Sequence, residues 1–217
     1  MEVTSVRKVR SRYLIEIGSE HYRIPASLYL ERPLQPGDEV DIGEYDQWLL
    51  LRQYRPALEY AVSLLAARPY AEAELSSRLR RLGYRPTTCE MVIYKLRRHA
   101  LLNDTDFAQQ WAAAKAARNL GPRRIAQELR QKGVSREDAD AALAGLDTES
   151  QQHAADSLAE KALRKSKPGD DPRRNAQRIL AMLARRGYPY DIAKAALRSA
   201  IRSAGSGSET TDSSNDP

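Results

Sequence analysis

Residues 75–96 read LSSRLRRLGYRPTTCEMVIYKL, and this stretch predicts how most of the chain folds. Apolar residues stand four and eight positions before Gly83, and six, nine, ten and thirteen positions after it. Each set lies on one face of a helix, so Gly83 separates two helices. It stands where a helix C-terminus takes the left-handed conformation that glycine adopts without strain.

The same frame recurs around Gly133 and Gly187, so that three glycines lie about fifty residues apart. The six offsets again return apolar residues, which are Leu129, Ile125, Ala139, Ala142, Leu143 and Leu146 in one copy and Leu183, Ile179, Ala193, Ala196, Leu197 and Ala200 in the other. A repeat of this kind indicates tandem units that cannot bury their apolar faces alone and therefore stack.

A third helix opens each unit, which predicts three tandem three-helix repeats. Their predicted bounds are residues 56–99, 104–146 and 148–203. One apolar stripe is expected on each opening helix. These stripes are Leu58, Val62 and Leu65, then Phe107, Trp111 and Ala114, then Ala154, Leu158 and Ala162.

The first 55 residues differ from the repeats. Alternation at Tyr13, Ile15 and Ile17, repeated at Tyr22 and Ile24, predicts a β-hairpin and leaves open a third strand over 3–9. Residues 42–54 have the pattern of a helix that leads into Pro56. The sequence thus predicts a small β-rich module at 1–55. Residues 204–217, rich in Gly, Ser and acidic residues, predict a disordered acidic tail.

Positive charge is concentrated in the repeats. Residues 1–55 carry a net charge of −1, residues 56–203 carry +10, and the tail carries −3. This separation favours a polyanion or an acidic protein surface as partner. The candidate binding residues are Arg78, Arg81, Arg97, Arg98, Arg123, Arg124, Arg130, Lys132, Arg173, Arg174, Arg178, Arg185 and Arg186. The alternative for any one of them is a solvated helix face with cations that suit the helix dipole.

Catalysis finds little support in the sequence, and an enzyme with a site in the N-terminal module, which offers only His21 and scattered acids, is the weakest hypothesis. The three histidines lie in separate segments without metal-ligand spacing, and Cys89 occupies a core position of the frame. Tyr84 and Tyr188 are interpreted as packing residues, with base stacking as a minor alternative. We therefore expect no catalytic residue, metal or cofactor. No apolar run reaches the eighteen residues of a membrane span, and the N-terminus has no signal pattern, so a cytoplasmic protein is expected.

Several motifs resemble the RecX family of RecA regulators. They are Glu74-Leu75 with Leu79, Leu82 and Gly83, then LLNDTDFA at 101–108, GPRRI at 121–125 with Glu128-Leu129, KGV at 132–134 and LARRGY at 183–188. The resemblance covers residues 56–203, and the N-terminal module is similar to a β-rich extension of some members.

The resemblance implies an elongated, curved array of three three-helix repeats without enzymatic activity. It implies binding to the RecA–single-stranded DNA filament, with reduced strand exchange and ATP hydrolysis. The positions that match the family's basic surface are Arg123, Arg124, Arg185 and Arg186. The alternative is a general nucleic-acid-binding module that acts without RecA, on single-stranded or double-stranded DNA. A monomer is the expected state.

Overall fold

The computed structural model describes residues 1–166 and 171–206. The tail predicted to begin at residue 204 starts later, because the last helix continues through Ser206, and residues 207–217 lie outside the described residues. The chain divides into two units, Met1–Asn103 and Asp104–Pro217. Within the described ranges, no helix is both long enough and apolar enough to cross a membrane.

Three short strands open the first unit. Strands β1 (Val3–Val9), β2 (Arg12–Ile17) and β3 (Glu20–Pro25) form an antiparallel sheet in the order β1-β2-β3. The hairpin is confirmed, and the optional third strand is present. Ile15 lies opposite both Val6 and Tyr22, so these side chains share the face that covers the core. The short helix α1 (Ala26–Glu31), which the sequence did not predict, follows the sheet.

Helix α2 (Ile42–Ala67) joins the sheet to the first repeat. The predicted helix continues through Pro56, so the boundary expected between residues 55 and 56 falls inside one helix. A proline inside a helix removes a hydrogen bond and normally ends it. Here burial holds both halves in line, because Leu49 packs in the core of the sheet and Ala61 packs in the core of the first repeat.

Within residues 1–166 and 171–206, eight further helices complete the three repeats. They are α3 (Glu72–Arg81) and α4 (Pro86–Arg98), then α5 (Asp104–Ala116), α6 (Pro122–Gln131) and α7 (Arg136–Ala144), then α8 (Thr148–Arg164), α9 (Pro172–Arg186) and α10 (Tyr190–Ser206). The three-repeat architecture is confirmed, with α2, α5 and α8 as the opening helices. Gly83, Gly133 and Gly187 have φ of 91°, 82° and 92°, so each frame glycine is left-handed as predicted.

The predicted stripes of the opening helices are confirmed in part, because Phe107 is buried and most of the other stripe residues are half-buried, but two residues are exposed. Val62 is 42% exposed and Ala114 is also exposed. The fully buried residues are instead pairs of alanines four positions apart, at Ala57 and Ala61, Ala108 and Ala112, and Ala155 and Ala159. Alanine has no side chain beyond Cβ, so it lets a neighbouring helix approach closely. A search for large apolar residues misses such a face.

The sheet docks onto the turn of the first repeat within the first unit. The Arg12 guanidinium donates a hydrogen bond to the Leu82 carbonyl, and a Cβ atom on Gly83 would overlap the Arg23 carbonyl oxygen. Gly83 is therefore required twice, by its positive φ and by the close approach of β3. The module therefore covers the C-terminal end of α3.

Candidate nucleic-acid interface

Helices α6 and α9 meet through their backbones in the second unit. The Gly121 amide donates to the Arg186 carbonyl at 2.9 Å, and the Arg123 amide donates to the Gly187 carbonyl at 3.0 Å. A Cβ atom on Gly121 would overlap the Gly187 backbone, and one on Gly187 would overlap Arg124. The start of α6 is thus fixed against the turn that follows α9. This contact joins the second repeat to the third.

The junction brings together the two arginine pairs that match the family's basic surface. Arg123, Arg124 and Arg185 are exposed, and Arg186 is half-buried with its guanidinium donating to the Asn119 carbonyl at 3.3 Å. We call these four residues, Arg123, Arg124, Arg185 and Arg186, the junction cluster. Arginine forks suit phosphate and carboxylate oxygens, so the cluster can hold an anionic backbone.

One nearby carboxylate, Glu128, neutralises the junction cluster only weakly. The Arg124 Nε lies 3.6 Å from Glu128 Oε1, whereas the Lys115 Nζ lies 2.9 Å from Glu128 Oε2. Burial disfavours the charged form of Glu128, but the interaction with Lys115 and, after it, the charge of Arg124 outweigh burial and lower the pKa of the carboxyl. Glu128 is therefore ionised near neutral pH and held mainly by Lys115. The cluster keeps most of its positive charge.

The candidates of the first repeat lie on two helices rather than in one cluster. Arg78 donates to the Tyr60 hydroxyl at 3.2 Å, and Arg81 donates to the Ser77 hydroxyl at 3.4 Å. On α4, Arg97 forms an ion pair with Glu72 at 3.0 Å, and Arg98 donates to the Tyr94 hydroxyl at 3.4 Å. All four arginines are exposed, and Arg97 is the one with a carboxylate partner at ion-pair distance.

In the second repeat, Arg130 and Lys132 have different surroundings. Arg130 is exposed in the last turn of α6. Lys132 is half-buried, with its ammonium 4.2 Å from the centre of the Trp111 ring and 5.7 Å from that of Phe107. A cation over an aromatic face stabilises the packing. Lys132 therefore supports this repeat directly, whatever it also binds.

The remaining candidates lie at the far end of α9 from the junction cluster. Arg173 and Arg174 are exposed in its first turn, and Arg178 donates to the Ser166 hydroxyl at 3.0 Å. Arg173 and Arg185 are twelve residues apart on the helix, which corresponds to about 18 Å. A single phosphate cannot bridge that distance, but a strand of several nucleotides can.

Sequence reasoning missed Arg85. Its guanidinium contacts Glu20 at 3.0 Å and Asp46 at 3.1 Å, and it lies over the Tyr22 ring at 4.2 Å. Burial disfavours its charge, but the hydrogen bonds to the two carboxylates outweigh burial and raise its pKa. Arg85 thus ties the sheet and α2 to the start of α4. The sequence did contain a signal for Arg85. Two residues after its frame glycine, the second repeat has the N-cap Ser135, and an arginine at a position that favours a capping residue indicates another role.

The tyrosines that follow the frame glycines are buried or half-buried, whereas two other tyrosines are exposed. Tyr188 is 1% exposed and Tyr84 is half-buried, which fits the packing interpretation and removes Tyr188 as a base-stacking residue. Tyr94 and Tyr190, outside the apolar frame, are 53% and 63% exposed. Each has a cation four residues later, as in Tyr94 with Arg98. A tyrosine that lies outside the apolar frame and has a cation four residues later is therefore expected to be exposed.

Cys89 is a core residue, as predicted. It is fully buried, and burial raises the pKa of its thiol to about 11. A thiol with that pKa is protonated at neutral pH and is a poor nucleophile.

The fold and the basic surface define a protein of tandem three-helix domains preceded by a small antiparallel sheet. The chain matches the first, second and third three-helix domains of RecX at residues 57–96, 103–143 and 149–197. It is 38% identical over 167 residues to a regulatory protein RecX of Mycolicibacterium vanbaalenii, covering 74% of this chain and 85% of the relative. The corresponding protein of Mycobacteroides abscessus is 43% identical over 148 residues, covering 66% and 72%.

Two solved structures share the fold. A crystal structure of a regulatory protein RecX aligns with a TM-score of 0.62 at 24% identity, covering 89% of this chain and 97% of the other. The crystal structure of RecX from Lactobacillus salivarius aligns with a TM-score of 0.63 at 24% identity, covering 71% and 97%. This chain belongs to the RecX family of regulatory proteins.

Proposed function

We propose that this protein is a non-enzymatic modulator of the RecA recombinase. It binds the RecA–single-stranded DNA filament and limits filament growth, ATP hydrolysis and strand exchange. Membership of a family of regulatory proteins supports the regulatory class. The observation that carries the proposal is the junction cluster, where backbone hydrogen bonds between α6 and α9 hold four arginines together.

The chemistry of the junction cluster fits a phosphodiester backbone. Three of its four guanidinium groups are exposed, and its nearest carboxylate is held mainly by Lys115. Arg173 and Arg174 extend the positive charge along α9. A filament presents phosphates at regular intervals over many nucleotides, so several cations can be neutralised at once. The proposal takes the protein to act in the cytoplasm as a monomer.

The test is a titration of RecA ATP hydrolysis on single-stranded DNA with the full-length protein at fixed salt. A parallel titration measures binding to the same DNA without RecA. We expect hydrolysis to fall at protein concentrations well below those that coat the naked strand. Inhibition that begins only when naked DNA is saturated would instead support a general DNA-binding module that competes for the strand.

A further inference from the structure

The outward face of the N-terminal sheet carries a row of cations that the sequence did not reveal. Arg7 on β1 and Arg23 on β3 both lie opposite Leu14 on the central strand. Because side chains alternate along a strand, this row faces away from the core face of Ile15. Directly opposed residues lie about 5 Å apart at their Cβ atoms. Two arginines therefore flank the half-buried Leu14 across the sheet.

The near-neutral charge of the first 55 residues conceals a strong separation. Residues 3–25 contain five Lys and Arg against two Glu, whereas residues 26–55 contain three against six acidic residues. Glu20 pairs with Arg85 at 3.0 Å, and Glu16 lies 3.5 Å from Arg7. In the part of the chain that the structure describes, Arg10 and Arg23 have no carboxylate within ion-pair distance. The sheet keeps uncompensated positive charge.

Docking of the sheet onto the first repeat extends this charge onto α3. Arg12 is bonded to the Leu82 carbonyl, and the Arg23 backbone lies against Gly83. Arg80 and Arg81, both exposed, directly precede Leu82. We call the combined set of Arg7, Arg23, Arg80 and Arg81, with Arg12 as its anchor and Arg10 in the turn between β1 and β2, the basic sheet surface. It belongs entirely to the first unit.

We propose that the basic sheet surface is a second DNA-binding surface that contacts the backbone of single-stranded DNA. Its arginines bind successive phosphates, and the exposed Val9 and half-buried Leu14 between them accept sugars and bases by apolar contact. The choice of ligand rests on the proposed function, which brings the same strand to the repeats. The role of the surface does not depend on RecA, since the interaction is with the DNA backbone.

The test compares two full-length double variants with the parent protein. Arg10→Ala/Arg23→Ala removes the two unpaired cations, and Arg55→Ala/Arg136→Ala removes two exposed arginines that each pair with a carboxylate on their own helix. Anisotropy of a labelled oligothymidylate gives the affinity over a series of salt concentrations, without RecA. Thermal unfolding verifies that both variants are folded.

The Arg10→Ala/Arg23→Ala variant should bind the strand about fivefold to tenfold more weakly, with a salt slope that is smaller by about one unit. Replacement of the same residues by lysine should restore most of the slope, because the charge is retained. The proposal is overturned if the alanine variant matches the control in affinity and slope. The proposal is also overturned if the same titration with a labelled duplex shows a loss of affinity that the oligothymidylate does not show.

RecA ATP hydrolysis with the same variants separates this inference from the proposed function. If the variant loses strand affinity while the parent fails to inhibit RecA, the sheet surface stands and the regulator proposal fails. If the parent inhibits and the variant binds DNA as the control does, the regulator proposal stands and the sheet surface fails. Loss of inhibition with unchanged DNA affinity would assign the surface to a protein partner and overturn the inference.

Discussion

The turns at Gly83 and Gly187 occupy the same place in the repeat, but different elements cover them. In the first unit strand β3 lies on the turn, with the Arg23 carbonyl against Gly83. In the second unit the start of α6 lies on it, with the Arg124 backbone against Gly187. The glycine turn of the repeat therefore accepts the backbone of either a strand or a helix. Glycine is needed at both turns for conformation and for space.

The arginines around the two turns differ in what they contact. Near Gly83, Arg12 is bonded to a carbonyl and Arg85 is held by Glu20 and Asp46. Near Gly187, the junction cluster has one carboxylate at ion-pair distance in the part of the chain that the structure describes, and Lys115 lies closer to that carboxylate. The two arginines at the first turn are thus held by protein oxygen atoms, whereas three of the four arginines of the junction cluster are exposed.

The largest expected effect comes from adding a single methyl group to a covered turn. Gly187→Ala should lower the free energy of unfolding by about 3 kcal/mol, because left-handed strain of about 1–2 kcal/mol adds to overlap with the Arg124 backbone. Gly37→Ala is the matched control, since Gly37 has φ of 96° and open space around its Cβ position. It should lose only the left-handed strain of about 1–2 kcal/mol. Equal losses in urea denaturation would contradict the covered-turn comparison.

The next largest effect is expected from replacing Arg85, the arginine that holds the sheet to the first repeat. Arg85→Ala should destabilise the protein by about 2 kcal/mol, because it leaves Glu20 and Asp46 without their cation at a partly buried site. Arg55→Ala removes an arginine whose side chain is 87% exposed and should change stability by less than about 0.5 kcal/mol. If the two variants unfold at the same urea concentration, Arg85 does not hold the sheet to the repeat.

A smaller loss of stability is expected at the second turn when the carboxylate of Glu128 is removed. Glu128→Gln should cost about 1 kcal/mol at pH 7, because the folded carboxylate has a lowered pKa through Lys115. A lowered folded pKa gives stability that is present above the unfolded value and lost as pH falls through the folded value. The difference between parent and variant should therefore vanish in acid. A loss that is the same at pH 7 and at about pH 3 would mean that packing causes it.

Although Glu128→Gln should lower stability, it should raise the affinity for single-stranded DNA. Glu128→Gln removes the carboxylate nearest the junction cluster, so its affinity for single-stranded DNA should rise by about twofold to threefold at low salt. Filter binding at two salt concentrations measures the change. A fall in affinity would show that Glu128 positions Arg124 for binding and does not merely offset its charge.

The repeat could be predicted because its signal is redundant. Each glycine is supported by six apolar offsets, and sixteen of these eighteen positions are buried, with Leu143 and Leu146 half-buried. The opening helices were harder, because their buried faces consist of alanine pairs that carry little hydrophobic signal. Helix α2 was cut at Pro56 because a local rule for proline does not include packing on both sides.

The candidate site was predictable as a composition but not as an arrangement. The sequence identified the candidate arginines, and the resemblance to the family selected the pairs Arg123-Arg124 and Arg185-Arg186 among them. It could not show that Gly121 and Gly187 bring these pairs together, because that contact joins backbones 66 positions apart. It also could not separate Arg85, which packing holds, from arginines that remain exposed.

The most direct test of the account is inhibition of RecA ATP hydrolysis by Arg123→Glu/Arg185→Glu. Both side chains are exposed and, within the described residues, neither forms an ion pair, so the reversal should not disturb the fold. Arg55→Glu/Arg136→Glu makes the same charge change on other helices. We expect the concentration for half-inhibition to rise by more than about tenfold for the first variant, because two phosphate contacts become repulsive, and to stay near the parent value for the second. Equal inhibition by both variants would contradict it.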